Sequence, residues 1–156
     1  MRYLRLGALF LAGIACQWIL SSHPFLSRST PQALLILTVA LGASAGPVLG
    51  ETFGFLFGLY LDAMAPDLFG MNALLLTATG YAIGAVQRQI EISSPLPQGL
   101  LVAAVSWIYM AAAALVGLVF KGQAFWLGWA ALFCAPALNG LLAPLGFSLV
   151  RRLARP

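Results

Sequence analysis

Charged residues make up only 8% of this chain, and the basic ones stand at the ends of long apolar runs. A soluble domain carries about 25% charged residues and about 45 to 50% apolar ones. Here 62% of the residues are hydrophobic and mean hydropathy is +0.96. Eight basic and four acidic side chains cannot coat a water-facing globule of 156 residues, so the medium that fits is lipid. At about 20 residues per transmembrane helix, six spans take roughly 120 residues and leave only loops and tails. The expected fold is an all-α integral membrane protein, one domain over residues 1–156 forming a six-helix transmembrane bundle.

Prolines, glycines and polar clusters punctuate the six helices, which are expected at about 3–20, 31–45, 47–65, 70–86, 97–120 and 124–150. Ser21, Ser22, His23 and Pro24 end the first. Thr30 and Pro31 supply a cap and a first-turn proline for the second. Gly46 and Pro47 separate the second from the third, and Pro66 with Asp67 turns the chain after it. Gly70 or Asn72 opens the fourth, and the polar stretch from Gln87 to Ser94 is a loop. Lys121 and Gly122 close the fifth. Pro136 and Pro144 lie inside the sixth, where each removes a backbone bond and is expected to kink it.

In a six-span chain Arg2, Arg5, Arg88, Arg151, Arg152 and Arg155 fall on one side, and Arg28 and Lys121 on the other. That asymmetry places both termini in the cytoplasm. Trp18, Tyr60, Trp126 and Trp129 then lie near the outer interface, while Trp107 and Tyr109 fall mid-helix and are expected to pack inside the bundle or line a cavity. The net charge of +4 forms no stripe, so no nucleic acid partner is expected. Cys16 and Cys134 have neither disulfide nor metal spacing and are expected to be small buried side chains. The N-terminal apolar run resembles a leader, but Gln17 to Leu20 prolong it where a cleaved leader would open a polar tether. It is therefore read as the first helix.

Chemistry has few places to live. Glu51, Gly54, Gly58 and Asp62 share an arc of roughly 80° on the third helix. A carboxylate facing hydrocarbon costs about 2.5 to 3.5 kcal/mol, so this face is expected to meet protein or a watery cavity. Glu51 sits in the first turn, where the helix dipole favours an acid; Asp62 sits near the last, where it does not. Gly54 and Gly58 form a GxxxG spacing suited to a partner helix or to internal packing. Asn72 and Thr79 face the same way on the fourth helix, and with Glu51 and Asp62 they form a possible intramembrane polar site. Asn139 is expected to make an interhelical hydrogen bond. The single histidine, His23, is in a loop, and no serine or cysteine has a base at a recognisable spacing. No phosphate-binding glycine loop occurs. Neither an enzyme, a cofactor nor a metal is expected.

Gly54, Phe55, Gly58, Leu59 and Asp62 follow the form GFxxGLxxD, and Gly70, Asn72, Ala73 and Leu74 follow with GxNAL. In these residues, and in the plan of a short multispanning chain with a basic end, the sequence resembles the rod shape-determining MreD family. The resemblance implies a non-enzymatic scaffold of the bacterial cell-elongation complex in the cytoplasmic membrane. It further implies an MreC-like bitopic partner and, through it, RodA, a class B penicillin-binding protein and MreB. Gly54, Phe55, Gly58, Leu59, Asp62, Gly70 and Asn72 would then serve partner binding or packing. That family is similar in fold to substrate-binding subunits of energy-coupling-factor transporters, which leaves a solute- or lipid-binding subunit as the alternative.

Overall fold

The structure is a computed structural model that describes residues 2–22, 32–64, 68–87, 89, 92, 94–122 and 129–154. Among them there are six helices and no strand: α1 (Arg2–Ser22), α2 (Ala33–Ala45), α3 (Pro47–Met64), α4 (Met71–Val86), α5 (Pro95–Lys121) and α6 (Trp129–Ala154). The expected roles of His23, Pro24, Arg28, Thr30, Pro31, Pro66, Asp67, Arg88, Trp126 and Arg155 fall outside the described residues. Helices α1, α5 and α6 each hold a stretch long and apolar enough to cross a membrane. The other three are shorter or less apolar. At about 1.5 Å per residue, the 13 residues of α2 cover about 20 Å, less than the roughly 30 Å of a bilayer core.

What α2 lacks in length it makes up in burial. Every residue from Ala33 to Gly42 is buried, so the helix has no lipid face and no amphipathic stripe. A helix apolar all round belongs at a centre. The remaining helices pack about it: Leu9 from α1, Phe53 and Phe57 from α3, Leu76 and Ile83 from α4, and Phe147 and Val150 from α6 share its core. Phe57 stacks on Phe10 of α1 at 5.4 Å and meets Phe53 edge-on.

The breaks follow local chemistry. Gly46 takes a left-handed φ of 96° between α2 and α3, and its N–H closes the last turn of α2 on the Gly42 carbonyl. Gly122 at φ 65° does the same for α5 on Leu118. The last helix runs without interruption through Pro136 and Pro144. Two expectations fail. Cys16 and Cys134 are exposed, because the faces of α1 and α6 that carry them point away from the core. Trp107 is 41% exposed, stacked edge-on against Phe133, while Tyr109 two residues on is 6% exposed; a two-residue step turns a helix by about 200°.

Candidate functional site

The site is built on the antiparallel hairpin of α3 and α4. Gly58 lies against the Asn72 and Ala73 backbone, Gly54 against the Leu76 carbonyl, and Gly50 against Gly80. A Cβ at any of the three would overlap main-chain atoms that cannot move aside. The face that the GxxxG spacing offers to a partner helix is therefore filled from within the chain. Of the two expectations for this spacing, a partner helix or internal packing, the contacts of Gly54 and Gly58 with the α4 backbone are those of packing. Phe55 and Leu59, the other residues of the same motif, are exposed on the opposite side of α3.

Close backbone approach brings the end of α3 to the start of α4. Asp62, 3% exposed, accepts hydrogen bonds on Oδ1 from the Asn72 N–H at 3.0 Å and from Asn72 Nδ2 at 2.9 Å. Its Oδ2 accepts from the Ala73 N–H at 2.9 Å. These are first-turn amides that α4 itself cannot satisfy, so the carboxylate caps the helix across the turn. Gly70, in a left-handed conformation at φ 95°, lets the chain enter α4 at that angle. Tyr109 of α5 completes the cluster by donating its hydroxyl to Asn72 Oδ1. Sequence and geometry thus account for the acid near a helix C-terminus: it serves the next helix.

A second cluster lies one turn away on α5. Ser106, 1% exposed, accepts from Asn139 Nδ2 at 2.9 Å and donates to the Val102 carbonyl at 2.8 Å. Asn139 Oδ1 in turn accepts from the Gln32 N–H at 2.8 Å, at the entrance to α2. One amide therefore joins α6, α5 and α2. Ser106 and Tyr109 are three residues apart and share a face of α5, so the two clusters meet there. The Asn139 bond is the interhelical one its isolation in an apolar run suggests. Ser106 and Gln32 carried no such signal, since a serine inside a helix can bond its own backbone and a glutamine at a helix margin is common.

Buried amide groups complete the picture. Gln17 of α1 donates to Ser21, but its Oε1 has no donor, and Gln32 Oε1 is likewise buried and unpaired. Gln98, wholly buried near the start of α5, donates to the Ile92 carbonyl and also leaves Oε1 unpaired. Glu51 and Thr79 do not join the Asp62 cluster. Glu51 is half-buried about 16 Å along α3 from Asp62, and the Thr79 hydroxyl donates to Leu75 of its own helix at 2.7 Å. Among the described residues no three His, Cys, Asp or Glu side chains gather where they could hold a metal ion.

What the arrangement does chemically is fasten. Asp62, Asn72 and Tyr109 tie three helices, Asn139 and Ser106 tie three, and α5 belongs to both sets. Compared with known protein families, with curated proteins and with solved structures, the chain matches none.

Proposed function

We propose that the chain is a non-enzymatic scaffold subunit of the bacterial cell-elongation complex, crossing the cytoplasmic membrane six times with both termini inside. Its partner is an MreC-like bitopic protein, and through it RodA, a class B penicillin-binding protein and MreB. The observation that carries this reading is the clasp of Asp62 on Asn72 and Ala73. The residues that carry the resemblance to the rod shape-determining family make one rigid hairpin, which leaves no reactive group over. A scaffold needs that rigidity, and it presents Phe55 and Leu59 outward for a partner helix. The test is depletion in the native cell: rods that round up support the reading, and unchanged shape sinks it. Co-purification with the MreC-like partner is expected to fall for Phe55→Ala with Leu59→Ala while the chain still inserts and folds.

A second reading, a solute-binding membrane subunit, draws on the unpaired Gln17 and Gln32 oxygens, which could accept from a donor-bearing ligand. Under that reading the purified protein melts at a higher temperature with a vitamin present, by mass action. No shift across a vitamin screen would remove it.

A further inference from the structure

The helices end at different heights. Asn72, in the first turn of α4, meets the Tyr109 hydroxyl of α5. From that level α4 runs away to Val86, and α5 must start toward the same end and come back. If the two helices ran the same way, Val86 and Pro95 would lie about 42 Å apart, at about 1.5 Å per residue, whereas nine residue steps stretch to at most about 32 Å. Met110 to Lys121, the part of α5 after Tyr109, therefore continues about 18 Å beyond the α3–α4 hairpin.

Helix α6 projects in the same way. Its Asn139 meets the Gln32 N–H at the entrance to α2, and its Gly146 lies against Ile36 further along, so α6 and α2 run in one direction. The turns of α6 from Trp129 to Asn139 thus stand about 15 Å beyond the start of α2. The projecting part of α5 is apolar and turned outward at Leu115, Val119 and Phe120, and it meets no charge until Lys121. The hairpin edge lies lower, and its chemistry differs. Met64 and Phe69 are exposed there, and between them the chain carries Asp67, next to Leu68, whose carbonyl accepts from the Met71 N–H at 3.1 Å. A carboxylate in hydrocarbon is costly, and one peptide unit, about 3.8 Å, cannot carry it up to the level of Lys121. One flank of the molecule thus calls for headgroups at a height where the other calls for acyl chains.

We propose that the bilayer is locally thinned beside the α3–α4 hairpin, with headgroups drawn down to the edge at Met64 and Phe69, while lipid of ordinary depth borders α5 and α6. A span shorter than the hydrocarbon thins the bilayer around it, and a longer one tilts or thickens it. Here the two kinds stand side by side: α3 and α4 cover about 27 and 24 Å, and α5 about 40 Å, against a hydrocarbon core of about 30 Å. Lipid is the neighbour that fits, because Phe55, Leu59 and Leu74 on the hairpin's outward sides are exposed and apolar, and a watery cleft would wet them. The inference rests on the membrane-spanning reading and not on the part played in cell elongation.

Thiol labelling of the full chain tests it. Cys16→Ser with Cys134→Ser removes two exposed thiols, and single cysteines are then placed by Phe69→Cys and Leu115→Cys. The native side chains there are similarly exposed, at 73% and 62%. Leu115 lies six residues past Tyr109, about 9 Å farther along the bundle than the hairpin edge. In dioleoylphosphatidylcholine vesicles with a charged maleimide on both faces, Phe69→Cys is expected to react about tenfold faster than Leu115→Cys or more, because the reactive thiolate forms in water and not in hydrocarbon. A watery recess in the protein would give the same order, so the lipid is varied as well. The Phe69→Cys rate is expected to fall several-fold from dimyristoleoylphosphatidylcholine to dierucoylphosphatidylcholine, whose longer chains resist thinning. Equal rates at the two positions, faster reaction at Leu115→Cys, no reaction at either, or a Phe69→Cys rate indifferent to chain length would each overturn the proposal. Met64→Cys, on the same exposed edge, replaces Phe69→Cys should that variant not fold. Failure of the chain to fractionate with membranes would instead overturn the membrane-spanning reading, so the two failures are distinct.

Discussion

Asp62 is a carboxylate whose whole hydrogen-bonding capacity is turned to the start of α4. Asp62→Leu leaves the Asn72 and Ala73 amides without an acceptor, at about 1 to 3 kcal/mol each, and is expected to lose most folded protein in detergent. Asp62→Asn keeps one acceptor oxygen and is expected to be the milder change; equal loss in both would deny the hydrogen bonds their part. Tyr109→Phe removes a single donor to Asn72 Oδ1 and is expected to cost about 1 to 3 kcal/mol, read as a lower melting temperature with expression intact. The acid and Asn72 were legible because a carboxylate near a helix C-terminus opposes the dipole and must have another reason to be there. Tyr109 was legible only as an interior residue. Its partner was hidden, since nothing local records which of several helices a mid-helix ring will face.

At the level of helices, glycine spacing told that a backbone would come close but not whose. The spacing at Gly54 and Gly58 fits a neighbour in the same chain or in another, and the choice depends on the turn after α3, through which α4 folds back. Gly58→Leu is expected to cost about 3 kcal/mol or more and to abolish folding before it abolishes any one association. Gel filtration of the solubilised variant checks this: a folded protein that has lost only its partner would show α4 to be displaceable. Helix boundaries followed the punctuation closely at Gly46, Pro47 and Gly122. The exposure of Cys16 and Cys134 was not legible, because helices turned on both sides to apolar surroundings carry no stripe to orient them.

For the whole molecule, the asymmetry of the basic residues predicts that reporters fused after Pro156 and within residues 22–29 lie on opposite sides of the membrane. A C-terminus on the outer side would break the six-span reading. Asn139→Leu unties α6 from α2 and α5 at once and is expected to cost about 0.6 to 2 kcal/mol, the range for polar contacts between membrane helices. The central position of α2 also sets a timetable for the growing chain. Its entrance waits for Asn139, 107 residues further on, which synthesis at about 5 to 20 residues per second delivers about 5 to 20 seconds later. Helices α3 and α4 need no such wait, since Asp62 and Ala73 are 11 residues apart. In the interval the side chains of α2 suit lipid, because the one hydroxyl in its middle, Thr38, donates to Leu34 of its own helix at 2.8 Å, and the shortness of the helix costs only the mismatch. Ribosome-stalled chains ending before Asn139 are therefore expected to hold the α3–α4 hairpin already while α2 still takes up lipid-soluble carbene label. Release of longer chains should protect it, so the most deeply buried helix of the finished protein is the last to be enclosed.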